Sequence, residues 1–179
     1  MNIAFTGSRP NKLWGYDLRY FKYKKLAEML ERELENIIDN SEDEEFHFIC
    51  GGALGFDTIA ALTILKMREK NENITLEIAI PFKDQPNTWF YSEDIDRYNL
   101  INKLADKVTF VDEVDGYIDE KVAIGRYSAK KLMTRNRYMI DNADLVIALY
   151  DGQKGGTHNA VNYAKKLDKD ILIINPKQI

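Results

Sequence analysis

The sequence predicts a single α/β domain over residues 1–179, Rossmann-like, with a mostly parallel sheet and helices on both of its faces. Three observations carry that prediction. Six short apolar runs rich in β-branched residues punctuate the chain, and amphipathic segments of helical length separate most of them. Several of the runs are apolar throughout rather than alternating, the pattern of strands buried on both faces and joined by helical crossovers. No internal repeat, low-complexity tract or linker interrupts the rhythm, so no domain boundary is placed anywhere.

The elements follow in order. The first strand is Asn2 to Thr6, and the helix after it is expected from about Asp17 to Asn40, with Leu26, Met29, Leu30, Leu34, Ile37 and Ile38 forming one apolar stripe. A second strand, Phe46 to Cys50, runs into a glycine-rich turn and a helix ending near Lys70, whose apolar face includes Ile59, Ala60, Leu62 and Ile64. The third strand, Ile74 to Ile80, stops at Pro81. A loop with Gln85, Pro86 and Trp89 leads to a helix through Tyr98, Leu100 and Leu104, then to a weak strand at Val108 to Val111. The irregular stretch from Asp112 to Tyr127 is expected to form a lid. A helix from about Ser128 to Asn142 precedes the strongest strand, Leu145 to Tyr150, which is followed by a second glycine-rich turn, a helix, and a last strand at Asp170 to Ile174.

Composition narrows the function classes. With 45% hydrophobic and 30% charged residues the chain is ordinary globular protein. Cys50 is the only cysteine, so no disulfide can form within the chain, and a cytoplasmic location is expected. The chain starts in a strand without a basic leader, and no apolar run approaches the roughly 18 residues of a membrane span. A net charge of −4 and a pI near 5.3 argue against a nucleic-acid partner on electrostatic grounds. The acidic run Ser41-Glu42-Asp43-Glu44-Glu45 reads as a solvated loop.

Chemistry is expected at the carboxyl ends of the strands, where open α/β sheets bind ligands. Three loops there share one character: Thr6-Gly7-Ser8-Arg9, then Gly51-Gly52-Ala53 with Gly55 and Asp57, then Asp151 to Gly155-Gly156-Thr157. Glycine permits positive φ and lets a ligand approach backbone N–H groups, and the helix start that follows adds partial positive charge suited to phosphate. Ser8 and Thr157 add hydroxyls, and Arg9 offers a guanidinium fork. Neither a G-x-G-x-x-G fingerprint nor a Walker P-loop is present, so hydride transfer and nucleotide hydrolysis by those routes are not expected, and nothing points to a resident cofactor or a metal. Trp89, Phe90 and Tyr91 either stack a base or pack a lid, and Trp14 and Tyr16 either cover the pocket mouth or pack. His158, at a helix start, is free for proton transfer or phosphate contact, whereas His47 lies within a strand and reads as structural.

Taken together and in order, Thr6-Gly7-Ser8-Arg9-Pro10, Cys50 to Asp57, Pro81-Phe82 with Gln85 and Trp89, Arg135-Asn136 with Met139-Ile140-Asp141, Asp144 to Ala148, Tyr150-Asp151-Gly152 and Gly155-Gly156-Thr157 resemble the YpsA-like branch of the SLOG superfamily over almost the whole chain. That superfamily also contains the DNA-processing protein DprA and the LOG phosphoribohydrolases. The resemblance implies a Rossmann-like fold and a nucleotide-derived ligand, of the NAD, ADP-ribose or cyclic-nucleotide kind, bound by a sensor or sequestering protein. It also implies occurrence in phages, prophages and defence systems, and a homodimer or larger homo-oligomer.

LOG enzymes carry an Arg-Lys pair before the strong strand and a glutamate three residues after the threonine of their glycine-rich motif. Arg135 falls on the arginine, Asn136 replaces the lysine, and Ala160 stands where the glutamate would be. Glycoside cleavage usually assigns stabilisation of an oxocarbenium-like ribose and activation of water to a carboxylate. A LOG-like hydrolase is therefore the alternative, with Asp57 or Asp151 as substitute, and a DprA-like nucleic-acid binder stands third. No catalytic residue is assigned.

Overall fold

Six parallel strands form one sheet in the order β4-β3-β2-β1-β5-β6, in a computed structural model that describes residues 1–179. The strands are β1 (Asn2–Gly7), β2 (Phe46–Cys50), β3 (Ile74–Ile80), β4 (Lys107–Phe110), β5 (Leu145–Leu149) and β6 (Asp170–Ile174). The helices are α1 (Phe21–Asp39), α2 (Phe56–Arg68), α3 (Ser92–Leu104), α4 (Ala129–Asp141) and α5 (Gly156–Lys166). The chain builds outward from β1 to β4, then returns across the sheet to lay β5 against the other side of β1. Between β1 and β5 the strand order reverses, and register sets Thr6 beside Ala148 and Gly7 beside Leu149.

The two faces differ in side-chain size, and the period of two explains why. Ile3, Phe5, Phe48, Leu76, Ile78, Ile147 and Leu149 point to one face and pack with α1 and α2 in the larger core cluster. Ala4, Ile49, Ala79 and Val146 point to the other, where the alanines leave room for α4 and α5 to pack through Met139, Ile140, Ala160 and Ala164. The α1 stripe is buried at Leu26, Leu30 and Leu34, as helical spacing requires.

Three sequence expectations need correction. The first helix begins at Phe21 rather than Asp17, because Asp17 Oδ1 accepts the Arg19 backbone N–H at 3.0 Å and its carboxylate also takes the Arg19 guanidinium, closing a turn before the helix. The weak strand is Lys107–Phe110, ending one residue early where a 3₁₀ turn starts at Val111. The stretch from Asp112 to Tyr127 is not a lid. Lys131 Nζ donates to Asp112 Oδ2 at 2.8 Å and to the carbonyls of Ala123 and Arg126, and Asp112 also accepts the Gly125 N–H. Both members of that ion pair are 1% exposed, which fixes the segment against α4 and away from the cleft. No helix is long and apolar enough to cross a membrane.

Candidate nucleotide-binding cleft

A cleft of about 330 Å³ opens at the carboxyl ends of β1 and β5, where the strand order reverses. This volume lies at the lower end of small-molecule sites. One wall is the loop after β1, from Thr6 to Lys12, tightened by a 3₁₀ turn that Pro10 starts. The facing wall is the loop after β5 together with the first turn of α5, from Tyr150 to Thr157. Leu132, Met133, Arg135 and Asn136 of α4 close it, and Ala53 and Asp57 form the back.

Gly51, Gly52 and Gly55 of the second glycine loop do not line the cleft; they make it possible. A side chain at Gly51 would occupy the space of the Arg135 guanidinium, which donates to the Gly51 carbonyl. Gly52, at φ +63°, faces Ile78, and its carbonyl accepts Gln85 Nε2 at 2.5 Å. Gly55, at φ +94°, brings the start of α2 against the Ser8 carbonyl. Gly7 lines the cleft and also serves packing, since a methyl there would lie 2.5 Å from the Phe56 ring. Glycine content marks both kinds of position alike, so sequence reasoning could not separate them.

Asp57 and Arg135 form a buried ion pair at 3.3 Å, with Asp57 also accepting the Ala53 N–H. Burial pushes the Asp57 carboxyl up from its ordinary range, while the charges of Arg135 and Arg9 pull against that shift. Arg135 Nε donates to Asn136 Oδ1 at 2.9 Å. Asp151 is paired with Lys177 at 3.0 Å and takes the Gln153 N–H, contacts that hold its carboxyl below the usual range. Both carboxylates of the cleft are thus engaged by other groups. Arg9 has no carboxylate partner, and Lys12 Nζ reaches only the Lys154 carbonyl at 3.4 Å. Facing them, α5 begins at Gly155 and Gly156 without a side-chain cap, so its first N–H groups have no partner within the helix.

Lys12 lines the cleft without standing among the expected site residues, although it lies three residues past Arg9 on a turn begun by proline. Tyr150, part of the Tyr150-Asp151-Gly152 motif and expected to end a strand, lines the cleft just past β5. His158 does not face the ligand space directly: its Nε2 lies 2.9 Å from Asn162 Nδ2 and its Nδ1 lies 2.5 Å from Tyr150 Oη, so the ring holds the phenol in place at the edge of the cleft. Trp14 packs on Tyr23 with centroids 5.1 Å apart and does not reach the mouth. No group of three or more His, Cys, Asp or Glu side chains is arranged to hold a metal ion.

A family model, YpsA, described as the YspA SLOG family, matches residues 3–179. The chain belongs to that SLOG family. An SPbeta prophage-derived protein of Bacillus subtilis, YoqJ, is 37% identical over 142 residues, covering 79% of this chain and 81% of its own. A UPF0398 protein of Halalkalibacterium halodurans is 26% identical over 99% of this chain and 89% of its own. Among solved structures, DprA from Streptococcus pneumoniae matches 96% of the chain with a TM-score of 0.62 at 17% identity, though the chain spans only 49% of that protein. DprA from Helicobacter pylori, a structure described for its single-stranded DNA binding mode, matches 99% of this SLOG chain with a TM-score of 0.56 at 18% identity, across 70% of its own length.

The last match overturns one expectation. Net acidity predicts no nucleic-acid partner, yet this fold is found in a protein described as binding single-stranded DNA. The physical fault lies in using a whole-chain sum. The −4 total says nothing of a cleft where Arg9, Lys12 and Arg135 meet only Asp57 and Asp151, one of which Lys177 already neutralises.

Proposed function

We propose that this SLOG protein binds a phosphate-bearing nucleotide in the cleft between β1 and β5, as a sensor or sequestering protein for a nucleotide-derived signal. The observation that carries this reading is the pair of cations without a carboxylate partner, Arg9 and Lys12, lining the same cleft as the uncapped start of α5. A phosphate between them would take charge-assisted hydrogen bonds from the guanidinium and ammonium groups and N–H bonds from the helix end. Asn136 and the Tyr150 hydroxyl are placed for ribose or base contacts. Binding is favoured over N-glycoside hydrolysis because Ala160 is buried against the sheet face, 3% exposed, and both cleft carboxylates are held by cations.

A single-stranded DNA end presents the same phosphate chemistry, and the likeness to the Helicobacter pylori structure supports it as a second reading. One experiment tests both. Thermal melts are recorded against mononucleotides, dinucleotides and a short single strand, with Gly156→Glu as control. A Cβ at Gly156 meets nothing within 4 Å, so the variant folds while placing a carboxylate against the phosphate site. A ligand at a hundred times its Kd should stabilise the native chain by about 2.7 kcal/mol, or about 5–10 °C, and Gly156→Glu should abolish that gain. Stabilisation that survives the substitution would place the site elsewhere.

A further inference from the structure

A second cleft, of about 460 Å³, adjoins the first, and Arg9 and Asn11 line both. Half of its other lining is aromatic, with Pro10, Leu54, Thr88 and Asp94 making up the rest. Tyr16 comes from the loop after β1, and Trp89, Phe90 and Tyr91 come from the segment before α3. The Tyr16 and Tyr91 rings lie 5.7 Å apart at 51°, and Phe90 meets Tyr91 edge-on at 5.1 Å. Three of these rings are not core: Tyr16 is 44% exposed, Tyr91 45% and Phe90 90%, while Trp89 packs on Tyr98 with centroids 5.2 Å apart. Exposed aromatic surface gathered at a concavity marks a binding site rather than ordinary surface. The one carboxylate here, Asp94, is taken by Arg97 at 2.7 Å, so the cation left to a ligand is again Arg9.

The two clefts therefore ask for one molecule that is anionic at Arg9 and flat and apolar beyond it. We propose that the Tyr16–Tyr91 cleft is a second-base subsite, stacking a nucleobase that is joined, through a phosphate held by Arg9, to the nucleotide in the first cleft. This rests on the nucleotide reading of the first cleft and narrows its ligand to a two-base unit. Aromatic rings accept any base by stacking, whereas the phosphate link fixes how far the second base lies from the first. Such a unit occurs as a pyrophosphate-bridged dinucleotide or as adjacent residues of a single strand.

Calorimetric titration with AMP, the phosphodiester dinucleotide pApA, the pyrophosphate-bridged AppA and an oligo(dA) tests the proposal. At least one two-base ligand should bind about 5- to 150-fold tighter than AMP, the contribution of one stacked base. The double variant Tyr16→Ala/Tyr91→Ala should remove that gain and leave AMP binding unchanged, while Tyr16→Phe/Tyr91→Phe retains it. In a Trp14→Phe background Trp89 is the sole tryptophan, and its fluorescence should respond to the two-base ligand and not to AMP. The better of pApA and AppA identifies the bridge, and further tightening with oligo(dA) identifies a strand as its source. If AMP binds and no two-base ligand binds tighter, or if the alanine variant weakens AMP equally, the second-base subsite is wrong and the first cleft stands. If none of the four binds, both readings fall.

Discussion

Replacing Glu77 with glutamine tests how α4 is held over the cleft. Glu77 lies in the middle of β3, 2% exposed, on the sheet face that α4 covers. Burial alone would push its carboxyl up. Four donors more than offset that: His47 Nε2 at 3.0 Å, Thr109 Oγ1 at 2.7 Å, Tyr138 Oη at 2.8 Å and Lys107 Nζ at 3.0 Å hold it at about 2 against an ordinary 4.5. At about 1.4 kcal/mol for each tenfold change, that difference contributes about 3 kcal/mol of folding stability. Because the folded value is depressed, the contribution is complete above the unfolded value near 4.5 and is lost as pH falls towards 2.

Glu77→Gln keeps the shape but removes the charge and presents an NH₂ group to donors. At pH 7 it should melt about 6–12 °C below the parent, taking about 2–4 °C per kcal/mol for a chain of this size. Its stability should also vary less between pH 5 and pH 2.5 than the parent's, by up to one proton's slope. Tyr138 sits one turn beyond Arg135 on α4, so nucleotide affinity should weaken as well. Urea titrations at several pH values and melts at pH 7 provide the measurement. Parallel pH profiles for parent and variant, or a melting point at pH 7 within about 2 °C of the parent, would refute the assignment of Glu77 as the charged anchor of α4.

Removing the group that orients Tyr150, by His158→Ala, should weaken nucleotide binding about 2- to 12-fold, the worth of one neutral hydrogen bond, with the melting point unchanged; equal affinity by calorimetry would show that the phenol does not contact ligand. Lys131→Met leaves the buried Asp112 carboxylate unpaired and should cost about 3–5 kcal/mol in urea unfolding, most of it recovered in Asp112→Asn/Lys131→Met; strictly additive losses would contradict a coupled pair. Cys50 is 0% exposed, and burial first, then the Asp57 charge, pushes its thiol well above the ordinary range. The native chain should therefore resist a thiol reagent at pH 8 and react only once denaturant is added, and rapid native labelling would show the back of the cleft to be open.

Much of the fold was legible because its strands are short apolar runs with few rivals for helix. Their two-residue period even separates large from small faces, as Phe5 beside Ala4 and Ile78 beside Ala79 show. What was lost lay in local polar chemistry. The Asp17 turn displaced a helix start that hydrophobic spacing alone could not place. The Asp112–Lys131 pair turned an irregular segment into a fixed one, through a contact between residues 19 apart. In the site, the glycine loops marked the right end of the sheet, but Gly51 makes room for Arg135 and Gly55 for the Ser8 carbonyl. Only the packed structure tells a glycine that admits a ligand from one that admits a neighbour.

The acidic run lies too far from the cleft to govern what binds there. The acidic run from Ser41 to Glu45 sits at the start of β1, where the Met1 ammonium meets Asp43 at 3.3 Å and the Glu45 carbonyl at 2.8 Å. The cleft lies at the other end of the same strand. The strand from Asn2 to Gly7, five steps of about 3.3 Å, separates the two by roughly 17 Å, about two Debye lengths at physiological salt, where the screening length is about 8 Å. An anion at Arg9 and Lys12 is therefore largely screened from those carboxylates and responds to the cations and the helix end beside it. Total charge governs how this protein behaves in bulk solution, whereas the strand that carries both ends decides what it can hold.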